Sequence, residues 1–403
     1  MSFDLATPPA TSAARTPPGD ALAAIGGIRL ALVACRFPPY IGGVELHTAE
    51  VARRLAAAGA LVTVLTTDPS GKLPAREFTP EGIEIRRVPA WPRVGPLGDL
   101  HIAPALGTLI RRERRRWDLV HLQGYFTFVA PIALRAIRAA GLPYIISFHS
   151  GGHSSPLRNM QRGAQFAALR PYFTGARRLI AVSRFEADYF RARLRLPAER
   201  FTVIPNGVTL PTLPADDPVV PTNAGPLLVS TGRLERFKGH QAVIAALPYV
   251  LQHEPMARLR IVGTGPYEAE LRRLAAASGV GERIEIAGIP PDDRLAMARL
   301  LRSAALVISL SRFESQGIGV GEAIALGRPT LVTADTALAE LVEQGLAHGL
   351  APDSTPQRAA AAILGALHAR PQRMVATLPT WDDCAAGLAR TYRTVLDSAA
   401  GER

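Results

Sequence analysis

The stretch Ser309-Leu-Ser-Arg-Phe-Glu-Ser-Gln-Gly-Ile-Gly-Val-Gly-Glu322 decides the fold of this chain. The apolar run Ala304 to Leu310 leads into it and has the length and composition of a buried parallel strand. Glu314 stands in the loop after that strand. Gly317, Gly319 and Gly321 let the backbone approach a neighbour closely, and a helix continues through Ala323-Ile-Ala-Leu to Gly327. In open α/β sheets, ligands bind beyond the carboxyl ends of the strands. A helix that starts there offers N–H groups and a positive dipole end, which suits phosphate. Glu322 lies about four residues, roughly 6 Å of rise, into the helix. The two carboxylates therefore flank a diphosphate seat. A nucleotide sugar, with ribose, diphosphate and hexose in line, has that layout. Two glutamates at this spacing are by themselves usually a loop Glu and a surface Glu, so the rest of the chain has to supply the company.

The chain has 403 residues, enough for two or three domains, and 48% of them are apolar, as in a globular protein. Cys35 and Cys384 are far apart and offer neither metal spacing nor a disulfide framework, which fits a reducing cytoplasm. The first residues lack the basic start and apolar core of a signal peptide, and no apolar run is long enough to span a bilayer. Net charge is +12. Residues 1 to 210 carry 27 Lys+Arg against 14 Asp+Glu, and residues 211 to 403 carry 19 against 20. A nucleic-acid binder is more evenly basic; a basic first half alone points to an anionic partner for that half and to no nucleic acid.

Taken in order, residues 1–24 are rich in Pro, Ala, Thr and Ser and predict a disordered tail. Residues 25–210 alternate strand and helix: Ile28 to Ala34, a helix from Glu45 stopped by Gly59, Leu61 to Thr66, Leu119 to Leu122, Tyr144 to Phe148, Leu179 to Val182 and Thr202 to Ile204. Residues 211–226 hold several prolines and read as a linker. A second alternating set over 227–380 includes Leu227 to Ser230, Leu259 to Val262, Ile284 to Ile286 and Thr330 to Val332. A last helix occupies the 381–403 segment. This pattern predicts an α/β protein with two Rossmann-like, doubly wound domains facing a cleft.

Four further motifs sit at strand ends. Gly42-Gly43 follows the first strand and opens Gly42-Gly-Val-Glu-Leu-His47. His149 ends another strand. Gly232-Arg233-Leu-Glu-Arg-Phe-Lys238-Gly239 follows the first strand of the second half, where Arg233 and Lys238 suit phosphate oxygens. Val262-Gly263-Thr-Gly265-Pro266 lacks the third glycine of a dinucleotide fingerprint, so NAD binding is demoted. Each has a plainer reading as a tight turn, a structural histidine or surface cations. Together with Glu314 and Glu322 they resemble the Glu-x7-Glu and Gly-Arg-Leu…Lys-Gly pattern of GT-B retaining glycosyltransferases, family 4 (group 1) type, over Ile28 to about Asp397.

The resemblance implies a GT-B fold and transfer of a hexose from a UDP- or GDP-linked sugar to an acceptor hydroxyl, with retention. By the same resemblance the catalytic candidates are Glu314, His149, Arg233 and Lys238. The donor-binding set is Gly42, Gly43, Arg233, Lys238, Gly265, Glu314, Gly317, Ile318 and Glu322. No cofactor and no metal are expected, since Asp-x-Asp is absent. The final helix is expected to pack back on the first domain, and Asn206 to lie near the interdomain cleft. Two departures stand out: Thr336-Ala337 replaces a Gly-Gly pair before Glu340, and Gln316 stands where an aromatic is common. A nucleotide-sugar epimerase of the same fold and a non-catalytic nucleotide-sugar-binding subunit stay open. The Gly-Arg-Leu…Lys-Gly match speaks against the first, and the complete set of charged residues against the second. Arg111, Arg112, Arg114, Arg115 and Arg116 allow two readings. One is a solvated helix whose apolar side meets the sheet; the other is a peripheral contact between the first domain and an anionic membrane at its inner face.

Overall fold

The computed structural model describes residues 18–40, 42–91, 101–149, 156–208, 213–214, 225–290, 293–369 and 378–401. The first part of the expected tail, most of the 211–226 linker and Ser150-Gly151-Gly152 lie outside them. The strands are β1 (Arg29–Ala34), β2 (Leu61–Asp68), β3 (Arg76–Phe78), β4 (Glu84–Pro89), β5 (Leu119–Gln123), β6 (Tyr144–Ser147), β7 (Arg178–Ala181) and β8 (Phe201–Val203). A second group comprises β9 (Leu227–Thr231), β10 (Arg258–Val262), β11 (Ile284–Ile286), β12 (Leu306–Ser309), β13 (Thr330–Thr333) and β14 (His348–Leu350). The helices are α1 (Pro18–Ala23), α2 (Gly43–Ala57), α3 (Pro104–Arg112), α4 (Val129–Ala139), α5 (Pro156–Gly175), α6 (Arg184–Leu194) and α7 (His240–Val250). They continue with α8 (Glu268–Ala277), α9 (Arg294–Ser303), α10 (Ile318–Ala325), α11 (Ala339–Glu343), α12 (Pro356–His368) and α13 (Trp381–Gly401).

Two sheets result. The first has the order β3-β4-β2-β1-β5-β6-β7-β8, parallel except for the β3–β4 pair. The second has the order β11-β10-β9-β12-β13-β14 and is wholly parallel. Helices cover both faces, so central strands must be apolar throughout. Leu30 to Ala34 are accordingly buried, as are Leu306 to Ile308. Each sheet reverses its winding once, between β1 and β5 and between β9 and β12. In open α/β sheets, ligands bind at such switch points. The loops there are the ones holding Gly42-Gly43, Arg233–Lys238 and Glu314.

The terminal helix α13 belongs to the core of the first domain. Trp381, Cys384, Leu388, Tyr392 and Val395 pack with Leu30, Leu32, Val51 and Leu55. Two expectations need correction. The tail does not extend to residue 24: Pro18–Ala23 form α1, which packs on α13, and Ile25 is fully buried. The arginine-rich segment is not one helix either. Pro104 starts α3 at a position where a missing N–H is harmless, α3 stops at Arg112, and Arg114–Arg116 form a single 3-10 turn. Its apolar side, Leu106, Ile110 and Trp117, faces the core. Among the described residues no helix is long and apolar enough to cross a membrane.

Candidate active site

The loop after β9 is drawn against the end of β12. Gly239 has φ 79°, and a methyl group there would come within 1.9 Å of the Leu310 carbonyl oxygen. Only glycine tolerates both conditions. This approach brings Lys238 to Glu314, with Nζ 2.6 Å from Oε2 and both side chains about four-fifths buried (18% and 17% exposed). The sequence places these two charges in separate motifs; in the structure they hold each other. Arg233 is exposed on the same loop. Behind it His240 donates to the Arg233 carbonyl at 3.3 Å and accepts from the Ser230 hydroxyl at 2.9 Å. Burial pushes the His240 pKa down to about 4; the bond to Arg233 raises it and Lys238 lowers it, with burial winning. His240 is therefore a neutral post fixing the loop backbone. Gly265 packs against the Leu234 backbone, 2.4 Å from its carbonyl to a methyl placed there.

Gly317 caps α10 in the left-handed region, φ 76°, and no side chain caps this helix. The N–H groups of Ile318 and Gly319 precede the first helical acceptor and open toward the loop. Ile318 also packs against the apolar cluster of the first domain, and a methyl on Gly43 would lie 4.0 Å from its Cδ1. Gly42, with extended backbone, precedes α2 beside the Glu45 carboxylate, which Arg36 holds at 2.9 Å. The Gly42-Gly43 turn and the start of α10 thus face one another.

Glu322 points into a buried place, with 6% of its side chain exposed, and pairs with Arg294 of α9. Burial raises its pKa above the usual carboxylate range, against the lowering effect of Arg294. The sequence places this carboxylate at one flank of a diphosphate seat and gives no sign of Arg294, which lies 28 residues away with no motif of its own.

His149 follows β6 with φ 44° and is 8% exposed. Phe148 before it stacks on Phe190 at 3.8 Å and pins the strand end. The His149 Nε2–H donates to Gln123 Oε1 at 2.8 Å. The His47 ring lies 4.4 Å away, edge-on, and its Nδ1–H donates to Asn206 Oδ1 at 2.7 Å. Burial, with His47 and His121 nearby, holds the His149 pKa well below the ordinary histidine value. Burial also pushes His47 down to about 4, the Asn206 bond opposing it. Burial thus favours the uncharged His149 ring, and its observed partner is the Gln123 carboxamide. His47, Gln123 and Asn206 were not expected in this role; single polar residues at strand ends carry no periodic signal.

The two departures noted in the sequence acquire partners. Gln316 Oε1 accepts from the Asn206 N–H at 2.7 Å and its Nε2 donates to the Asn206 carbonyl at 2.9 Å. Glu340 accepts from the Phe185 N–H at 2.9 Å and pairs with Arg184, so it bridges the domains. The Ala337 N–H donates to the Glu314 carbonyl at 3.2 Å.

Fold and site together define a glycosyltransferase of the GT-B architecture. The description Glycosyltransferase Family 4 matches residues 41–210, and Glycosyl transferases group 1 matches residues 225–369. The chain belongs to this family. It is 27% identical to the D-inositol 3-phosphate glycosyltransferase of Frankia alni, over 89% of this chain and 96% of that one. It is 29% identical to the protein of the same name from Nocardiopsis dassonvillei, over 84% and 82%. Among solved structures, sucrose-phosphate synthase from Thermosynechococcus elongatus superposes with a TM-score of 0.75 at 20% identity, covering 92% of this chain and 99% of that one. HepE of Anabaena, solved with UDP and glucose, gives 0.65 at 20% identity, covering 93% and 99%.

Proposed function

We propose that this chain transfers a hexose from a UDP- or GDP-linked sugar to an acceptor hydroxyl with retention at the anomeric carbon. The observation that carries the reading is the Lys238–Glu314 pair at 2.6 Å beside the uncapped start of α10. A cation and helix N–H groups lie where a leaving diphosphate would gain charge, with exposed Arg233 on the same loop as the cation, and a carboxylate stands next to them to orient sugar hydroxyls. Electrostatic stabilisation of the leaving group is usually the largest catalytic contribution. The C1–O bond to diphosphate breaks, the acceptor oxygen bonds C1 on the face the diphosphate leaves, and the acceptor's hydroxyl proton passes to the departing diphosphate oxygen. A neutral His149 lines the sugar side. Relatives named for D-inositol 3-phosphate make a phosphorylated polyol the first acceptor to try.

The experiment is incubation with UDP- and GDP-hexoses and candidate acceptors, read by mass. A transferred hexose supports the reading. An isomerised sugar shows an epimerase, and neither product, with nucleotide-induced thermal stabilisation alone, shows a binding subunit. Because Lys238, Arg233 and the α10 N-terminus meet the diphosphate charge, transfer is expected to continue in excess chelator. Abolition by chelator with restoration by Mg²⁺ or Mn²⁺ would refute metal independence.

We further propose a peripheral contact with an anionic membrane, placing the enzyme in the cytoplasm at the inner face. Arg111, Arg112, Arg114, Arg115 and Arg116 are all exposed, and Arg116 also pairs with Glu84 and Glu113. Since the apolar side of this segment is buried, attraction is electrostatic, about 1 kcal/mol per cation near an anionic surface. Co-sedimentation with anionic vesicles at low salt, lost at high salt and with neutral vesicles, is the expected outcome. Equal, negligible binding to both vesicle types would remove the membrane from the account.

A further inference from the structure

We infer that Gln316 and Asn206 are positioning residues, forming with His47 a side-chain relay that crosses the domains and sets His149 against the donor loop. The kinetic consequence rests on the donor reading above; the geometry of the relay does not.

The relay begins one residue before the α10 cap. Gln316 is separated from Gly317 by a single peptide, so anchoring its carboxamide anchors the N–H groups at the start of α10. The carboxamide grips both backbone polar groups of one residue, Asn206, 110 positions away in sequence. Only a primary amide donates and accepts in this fork; a carboxylate of the same shape cannot donate to the Asn206 carbonyl. Asn206 is 6% exposed, so a broken fork strands buried polar groups.

The next step passes through the Asn206 side chain to His47 Nδ1, and from the His47 ring to His149 at 4.4 Å. His47 also lies 6.0 Å from Trp381, where α13 begins. The backbone beside Asn206 has no slack. A methyl on Gly207 would fall 2.1 Å from the Trp381 nitrogen, and the Val208 N–H donates to the Pro379 carbonyl at 2.9 Å. From the other side, a methyl on Gly321 of α10 would reach Val208 Cγ2 at 2.7 Å. Residues 206–208 are thus wedged between the donor-loop helix, α2 and the return of the chain into α13. A shift of the donor loop has to move Asn206, and a shift of Asn206 has to move His47.

Gln316→Leu removes the whole fork, and Gln316→Glu keeps its shape while removing the donor. The hydrogen bonds of Gln316 go to the Asn206 backbone, one step away from either histidine. Asn206→Ala leaves the backbone fork and removes only the oxygen to which His47 donates. In a histidine-labelled full chain, both Gln316 variants are expected to move the ring-nitrogen NMR resonances of His47 and His149 while leaving exposed His253 and His368 in place. Unmoved His47 and His149 resonances in a folded Gln316 variant overturn the relay; if the Leu variant does not fold, the isosteric Glu variant decides. With an active donor, kcat is expected to fall about 10- to 100-fold in Gln316→Glu and Asn206→Ala alike, the scale of a misplaced reacting geometry, with UDP affinity changed less than about threefold. Equal losses of UDP affinity and rate would assign Gln316 a local loop role and overturn the relay. A wild-type chain that binds neither UDP nor GDP overturns the donor reading instead, and the resonance comparison still decides the relay.

Discussion

Lys238→Ala is expected to lower turnover about 10²- to 10³-fold, the scale of removing one group that stabilises charge developing in the transition state. Glu314→Gln is expected to lose about 10²-fold by the same reasoning. In the free protein the two side chains neutralise each other at 2.6 Å. In the proposed reaction a diphosphate arriving at the start of α10 competes with Glu314 for the ammonium, and the freed carboxylate then accepts from sugar hydroxyls. On that proposal the ion pair is a resting arrangement of two groups whose work begins when the donor separates them. That distinguishes kinetic from structural importance. Both side chains retain some exposure, so either charge left alone reaches water, and stability should change by about 1 kcal/mol, as for a partly exposed pair. Kinetics on each variant beside its thermal unfolding curve checks both statements. Full turnover in either folded variant would remove the pair from the catalytic centre. Lys238→Arg is a sharper probe: it keeps the charge but changes the donor geometry, so a partial rescue would show that a point charge is what the site uses.

Most of the architecture was legible because its central strands are buried on both faces and read as uninterrupted apolar runs, Leu30 to Ala34 and Leu306 to Ile308 among them. The edges were not. β4 carries Glu84 and Arg87 as buried residues, and their charges are matched only in three dimensions, by Arg76, Arg86 and Arg116 for Glu84 and by Glu77 for Arg87. A strand whose burial depends on partners from other elements has no hydrophobic period to detect. α1 escaped for a related reason: six residues of low-complexity composition become helical by packing on α13. The site divides the same way. Lys238, Glu314 and Gly317 sit in strand-end loops whose local order announces a ligand. Arg294, Gln123 and Asn206 act through contacts between distant segments, and the partner of Gln316 is Asn206, 110 positions away and beyond any local pattern.

Arg294→Met is expected to cost about 3 kcal/mol of stability at neutral pH, the lower end for breaking a buried ion pair because Arg294 itself is about one-third exposed. Glu322→Gln, by contrast, is expected to change stability little, since it removes the charge whose burial is unfavourable and leaves Arg294 able to reach water. The asymmetry follows from where the burial lies: on Glu322, with 6% of its side chain exposed, and not on its partner. The pH dependence has a definite sign. Burial raises the folded-state pKa of Glu322, and Arg294 partly offsets this. A carboxyl with a raised folded pKa binds its proton more tightly in the folded state. Its contribution to stability is therefore fully present below the unfolded value of about 4.5 and is lost as pH rises through the folded pKa. Without Arg294 the folded pKa climbs further, so the deficit of Arg294→Met should be greatest near pH 7 and should shrink as the solution is acidified toward pH 5 and below. Urea unfolding of both variants across this range is the measurement. An Arg294→Met deficit independent of pH would mean that lost packing and not the stranded carboxylate is responsible, and a Glu322→Gln protein as unstable as Arg294→Met would place the critical interaction on the Glu322 charge itself.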